Sequence, residues 1–241
     1  MYAVFKRELF SFLNSMVAYI TIGVFLLVSS LLLWFFPDTS VLEYGYAELS
    51  GFFNLAPYLF MFLIPAITMR LFAEERKEGT FELLITKPVT LWQIIGAKYL
   101  ASLVIVLFSL IPTLVYFYSV YQLGYPTGNI DSGAVIGSYL GLFLLGSAFT
   151  AIGIFASSLT KNQVIAFAVA VFLSFFAFSG FDSISKIISL QSFESTIVNL
   201  GINEHYLSIS RGVLDTRDLI YFISFAAFFL LLTKLTMGGR K

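Results

Sequence analysis

Charged residues divide this chain into long uncharged runs. About 20 helical residues cross the roughly 30 Å hydrocarbon core of a bilayer, so most of these runs are long enough to span it. The last run becomes long enough if its helix continues past Lys234, whose ammonium group can reach the interface. The runs cover residues 9–37, 49–69, 99–130, 132–160, 162–181 and 219–233. They predict six transmembrane helices, at about residues 16–37, 50–70, 91–121, 133–159, 163–181 and 218–237.

Composition agrees with a chain that has lipid as its solvent. The sequence is 59% hydrophobic and 12% charged, whereas soluble domains carry about 25% charged residues. Backbone amides in lipid must be paired within their own segment, and long uncharged runs without alternating polar residues satisfy this as helices. The predicted fold class is therefore all-α, with residues 1–241 forming a single membrane domain.

The basic residues are distributed unevenly between the two sides of the predicted bundle. Eleven of the 14 lie at the N-terminus, in residues 70–98, at Lys161 or after residue 233, and the other three are Lys186, Arg211 and Arg217. The positive-inside rule places the side richer in Lys and Arg in the cytoplasm. Both termini are therefore predicted to be cytoplasmic.

The first dozen residues combine apolar and charged side chains. Val4, Phe5 and Leu9 alternate with Lys6 and Arg7, a pattern typical of a short amphipathic helix lying along the membrane interface. The alternative is a frayed beginning of the first span.

Several kinds of chemistry have no candidate residues here. There is no cysteine and no Gly-rich phosphate-binding string, so thiol chemistry and P-loop ATP binding are excluded. The single histidine, His205, is interpreted as a solvated loop residue, and no catalytic, metal or cofactor site is predicted. The zero net charge gives no indication of a nucleic-acid partner. The six runs contain no ionisable residue, which makes a proton- or ion-coupled carrier the weaker hypothesis.

The largest predicted cytoplasmic loop, residues 70–98, is rich in turn and cap residues. The second span can continue as helix to Glu78, where Gly79 permits the chain to turn. Thr80 is predicted to cap a short helix over residues 80–87, which Pro88 ends.

Two further features of this loop bear on its role. Thr90 and Gln93 have the spacing of a capping box at the start of the third span. In the short helix, Glu82 can pair with a basic partner, while Leu83 and Leu84 offer an apolar docking surface. The alternative is a merely solvated connector.

This loop resembles the signature of permease subunits of ABC-2 type ATP-binding-cassette transporters. In those proteins a short helix after the second span docks into a separate ATPase subunit. The resemblance implies that residues 80–87 form such a coupling helix, that ATP is hydrolysed by the partner and not by this chain, and that a second permease subunit completes the transporter. It also implies a multi-pass protein of the bacterial inner membrane. The matching residues are Glu75, Arg76, Gly79, Thr80, Glu82, Leu83 and Pro88.

The segment before the sixth span carries a second, narrower resemblance. Residues 201–221 are similar to permease subunits associated with gliding motility in Bacteroidetes. Apolar residues at helical spacing predict two short amphipathic helices forming an outer hairpin, with Asp215 as the N-cap of the sixth span. Those apolar residues are Ile184, Ile187, Ile188, Phe193, Ile197 and Leu200.

The fourth span contains Gly133, Gly137 and Gly141 at four-residue steps. Small residues let helices approach closely in lipid, so the row indicates either a subunit interface or internal packing.

Three functions fit these features. The leading hypothesis is the membrane-spanning subunit of an ABC-2 transporter that exports a hydrophobic or polymeric substrate, with work supplied by a partner ATPase. The others are a non-transporting anchor of a gliding or secretion machine, and a channel or secondary carrier. No side-chain pattern identifies the substrate.

Overall fold

The computed structural model describes residues 1–36, 40–43, 45–186, 198–212 and 215–238. Within these ranges all regular structure is helical. The α-helices are α1 Tyr2–Leu13, α2 Met16–Trp34, α3 Ser50–Thr68, α4 Arg70–Glu78, α5 Thr80–Ile85, α6 Leu91–Leu110, α7 Leu114–Leu123, α8 Ser132–Leu159, α9 Gln163–Phe175, α10 Phe181–Ser185, α11 Ile202–Ser210 and α12 Thr216–Gly238. A 3₁₀ turn at Ile111–Thr113 joins α6 to α7, and a π-helical turn at Phe176–Gly180 joins α9 to α10.

Six stretches of helix in the described residues are long and apolar enough to cross a membrane, which confirms the predicted all-α, six-span class. The second span remains helical at Pro57 and Pro65. Pro112 lies in the 3₁₀ turn that interrupts the α-helix of the third span. The six stretches are Met16–Trp34, Ser50–Glu78, Leu91–Leu123, Ser132–Leu159, Gln163–Ser185 and Thr216–Gly238.

Helix α8 lies at the centre of the bundle. It contacts α3, α4, α6, α9, α11 and α12, and most of its side chains are buried. Glycine, alanine and serine supply much of its surface, and such small residues allow the backbones of neighbouring helices to approach closely. Helices α2 and α12 lie at the periphery and expose large apolar side chains, as expected of surfaces that face lipid.

The N-terminal helix α1 packs on α6 and turns into α2 at Asn14 and Ser15. Val4, Glu8 and Phe12 lie on its buried face. One face of the amphipathic helix α1 therefore packs against protein, and Glu8 places a carboxylate on that face.

The segment before the sixth span is described in two parts. α10 and α11 are short helices, and the amide of Arg217 donates a 2.9 Å hydrogen bond to Asp215 Oδ1, which confirms Asp215 as a cap of α12. The predicted hairpin also includes residues 187–197, which lie outside the described residues.

Candidate functional site

The segment that joins the second and third spans forms a compact helical unit. Gly79 ends α4 with φ of 73°, a left-handed conformation that disfavours residues with a Cβ, and so turns the chain into α5. Thr80 is the first residue of α5 and its hydroxyl donates to the Glu75 carbonyl oxygen at 3.3 Å. The prediction that Thr80 caps α5 is therefore wrong, because Gly79 occupies the cap position.

The unit ends on the predicted capping box. Thr90 Oγ1 accepts from the Gln93 amide at 3.3 Å, and Gln93 Oε1 accepts from the Thr90 amide at 3.0 Å. α5 itself ends at Ile85, and the exposed Pro88 lies between it and this box. The short helix is thus held between two defined turns.

Helix α5 has one buried and one exposed face. Phe81 and Leu84 are buried, and Phe81 packs edge-on against Phe72 of α4 with ring centroids 5.8 Å apart. Leu83 is 66% exposed and Ile85 is 49% exposed. The expectation that Leu84 belongs to a docking surface is wrong, because Leu84 anchors α5 to the protein.

The exposed face of α5 borders a cleft with a volume of about 400 Å³. Glu82 is exposed at this cleft, in the first turn of α5. Most of the wall is apolar, and Lys161 supplies a positive charge from the α8–α9 connection. The lining residues are Arg76, Gly79, Phe81, Glu82, Ile85, Val89, Leu91, Ile94, Lys161, Thr236, Met237 and Gly238.

A polar contact set fastens α4 to the end of α8. Ser157 Oγ donates to the Met69 carbonyl oxygen at 2.8 Å and accepts from the Phe72 and Ala73 amides at 3.0 and 3.1 Å. Arg76 donates to the Ser158 carbonyl oxygen at 2.5 Å. The Arg76 side chain therefore points into the protein, and its role in any docking is to support α5.

A charged cluster fastens α4 to α1 and α6. The side chain of Lys98 is fully buried, and its Nζ lies 3.1 Å from Glu8 Oε2 and 3.0 Å from Glu75 Oε2. Arg7, whose side chain is half-exposed, pairs with the same two carboxylates. Burial disfavours the Arg7 charge, but the hydrogen bonds and charges of Glu8 and Glu75 outweigh this and raise its pKa. We call Arg7, Glu8, Glu75 and Lys98 the ionic cluster.

The glycine row of α8 faces another part of the same chain. A Cβ at Gly137 would lie 2.9 Å from the carbonyl oxygen of Ile209, and one at Gly141 would lie 3.4 Å from the Tyr206 ring. At Gly133 the only neighbour such an atom would meet among the described residues is Asp131 Oδ1, at 3.3 Å. Gly137 and Gly141 therefore allow α11 to pack closely against α8.

Further hydrogen bonds hold α11 in this position. Ser138 Oγ donates to the Ser210 carbonyl oxygen at 3.0 Å, and Tyr206 donates to the Phe53 carbonyl oxygen at 2.7 Å. Burial raises the pKa of Tyr206, which keeps its hydroxyl a donor. α11 is thereby fixed between α3 and α8.

His205 is not a solvated loop residue, and that expectation is wrong. It lies in α11, where Nδ1 is 2.7 Å from Asp218 Oδ1 and the ring stacks on Tyr221 at a centroid distance of 3.8 Å. Its partners belong to the following helix, so only the packing of α11 on α12 reveals that His205 is partly buried. Across the described part of the chain, no three His, Asp or Glu side chains are grouped to hold a metal ion.

Comparison with known families decides the class of this membrane protein. A family model described as ABC-2 family transporter protein matches residues 35–236. The chain belongs to the ABC-2 transporter family. Members are the transmembrane component of an ATP-binding-cassette transporter and work with an ATPase subunit. A comparison with curated proteins gives no match.

The ABC-2 signature residues occupy three different environments in this chain. Glu75 and Arg76 are directed inward, Gly79 and Pro88 lie in the turns that bound α5, and Glu82 and Leu83 are exposed. Sequence reasoning assigned no role to Glu8 or Lys98, which belong to the ionic cluster with Glu75. A lysine at the start of an otherwise uncharged span was the available signal, since a charge near lipid requires a partner.

Proposed function

We propose that this chain is an ABC-2 permease subunit in which α5 is the coupling helix that receives the ATPase. The observation that carries the proposal is the exposure of Leu83 and Ile85, 66% and 49%, on a helix that the buried side chains of Phe81 and Leu84 anchor to the protein. Two large apolar side chains at a charged end of the bundle favour a protein partner over water. Glu82 beside them provides a charge that can select a basic residue of the partner.

The same proposal assigns the end of the bundle that carries α1 and α5 to the cytoplasm. It is supported by the excess of Lys and Arg on this side of the sequence. Because the chain contains no cysteine, a single introduced cysteine reports its own accessibility without background.

Cysteine labelling in intact cells tests this orientation. We expect cysteines at Glu43, Asn129 and Glu204 to react with an impermeant thiol reagent, and cysteines at Lys87 and Lys161 to react only after the cells are opened. The reason is that the first three positions lie on the side of the bundle opposite α5. Labelling of the Lys87 cysteine in sealed cells would show that the topology is the reverse of the proposed one and that α5 does not face a cytoplasmic ATPase.

Site-specific crosslinking tests the ATPase contact directly. A photoreactive amino acid at Leu83 is expected to crosslink to the ATPase subunit in membranes, because this side chain extends from the proposed docking face. The same amino acid at Leu42, which is 63% exposed in the connection after the first span, is the matched control and should give no such product. Equal crosslinking from both positions, or none from Leu83 in a complex that hydrolyses ATP, would contradict the assignment.

We further propose that the transporter contains a second permease subunit, lies in the bacterial inner membrane and exports a substrate in connection with gliding motility. Support for gliding motility comes from the resemblance of residues 201–221 to permeases of that system. Mass spectrometry of cargo purified with the complex tests whether the complex carries a substrate. A stable assembly that contains no cargo and is indifferent to nucleotide would favour the alternative of a membrane anchor.

A further inference from the structure

The ionic cluster joins three helices that are separated in sequence. Glu8 belongs to α1, Glu75 to α4 and Lys98 to α6, and the Lys98 ammonium also donates to the Leu71 carbonyl oxygen at 2.9 Å. Two cations and two carboxylates meet, so the cluster is electrically balanced. Lys98 contacts both carboxylates and is fully buried, which places it at the centre of the arrangement.

A second polar contact ties α4 to the beginning of the first span. Arg70, the first residue of α4, donates to Ser15 Oγ at 2.5 Å, and its guanidinium lies 5.3 Å from the centre of the Phe12 ring. Ser15 is the N-cap residue of α2. α4 therefore holds the last turn of α1 and the start of α2 as well as the cluster.

Stability alone does not account for burying Lys98 between two carboxylates here. Well-packed apolar residues often replace a buried ion pair without loss of stability, whereas removing one partner of such a pair is costly. Unlike apolar contacts, ion pairs are satisfied in few relative positions of the helices. This geometry suits a joint that must keep α1 and α4 in one register while the unit moves.

We infer that Lys98 is the positioning residue that makes α1 and the α4–α5 unit one rigid body. Displacement of α5 then carries α1 and the start of α2 with it, so α1 is part of the moving machinery and not a passive surface anchor. The role in transport rests on the proposed function, since it requires a partner that moves α5. The rigidity itself does not depend on that partner.

Distance measurements between spin labels test the joint. Cysteines replacing the exposed residues Lys6 on α1 and Lys77 on α4 would carry the labels, and no native cysteine competes. We expect one narrow distance distribution in the permease alone, unchanged when ATP is added to the complex with the ATPase. Replacing Lys98 by Met together with Glu8→Gln and Glu75→Gln removes the ion pairs without leaving an unpaired buried charge. In this variant the distribution should broaden, and ATP should shift it.

A matched control makes the same charge changes outside the cluster, with Lys87→Met, Glu43→Gln and Glu78→Gln, and should keep the narrow distribution. If the triple cluster variant fails to insert, Lys98→Met with Glu75→Gln decides the matter, because Glu8 keeps its ion pair with Arg7 within α1 and no ion pair then joins α1 to α4. A cluster variant with the wild-type distribution, with and without ATP, would overturn the inference. Failure of the wild-type chain to bind the ATPase would instead refute the proposed function, and the widths measured in the permease alone would still decide the inference.

Discussion

Replacing Gly153 by alanine is expected to destabilise the membrane domain severely. A Cβ at this position would overlap Thr68 Oγ1 and lie 2.9 Å from Thr68 Cβ. Rotation of the threonine side chain cannot relieve the second contact, so the backbones of α3 and α8 would have to separate. Overpacking of a core typically costs about 1–3 kcal/mol and sometimes more. The fraction of protein that remains monodisperse in detergent after heating measures the loss.

Two further variants separate this steric effect from a general effect of the substitution. Gly23→Ala in α2 is the matched control, because a Cβ there meets no atom within 4 Å and alanine is the better helix former. It should retain wild-type stability or exceed it. Combining Gly153→Ala with Thr68→Gly moves the small residue from α8 to α3 and should recover much of the loss. A heat-stable Gly153→Ala single variant would show that α3 and α8 are not in close contact at this point.

Features that depend on neighbours in sequence were predictable in this chain. The Thr90–Gln93 capping box, the turn at Gly79 and the Asp215 cap each involve residues a few positions apart, and the structure contains all three. The length of the uncharged runs was sufficient for the six spans, because bilayer thickness fixes how many helical residues are needed.

Features that depend on contacts between distant segments were not predictable. Whether a leucine of a six-residue helix faces in or out depends on what the helix packs against, and the expectation that Leu84 faces a partner is wrong for this reason. The expectation that His205 is a solvated loop residue is wrong because its partners, Asp218 and Tyr221, belong to the following helix. Lys98 could be recognised as a charge near lipid, but no sequence pattern connects it to Glu8.

These contacts divide the candidate site into a support and a docking face. Ser157 and Arg76 hold α4 to α8, and the ionic cluster holds it to α1 and α6, so the base of α5 is fixed on two sides. Side chains on the docking face can therefore be changed without disturbing the support. Loss of partner binding can be distinguished from misfolding on this basis.

Charge reversal at Glu82 is expected to abolish association of the permease with its ATPase. The Glu82 side chain is exposed, so Glu82→Arg introduces no buried charge and the protein should insert at normal abundance. The new arginine would face the basic residue of the ATPase that we propose pairs with Glu82, and like charges at an interface cost several kcal/mol. Leu83→Asp should have the same result, because it places a charge where an apolar side chain fills the contact. Pull-down of the ATPase, normalised to permease abundance, measures both effects.

Leu84→Asp supplies the contrasting case, since Leu84 is 6% exposed and anchors α5. An unpaired carboxylate there would be buried, so this variant should lose abundance as well as binding. Lys87→Asp is the matched exposed control: it also introduces a carboxylate near the end of α5, but beyond the helix, and should retain more ATPase than Leu83→Asp. If Glu82→Arg and Leu83→Asp both bind the ATPase and transport normally, α5 is not the coupling helix. The connection between the second and third spans would then be a structural turn whose only role is to hold α4 against α1 and α8.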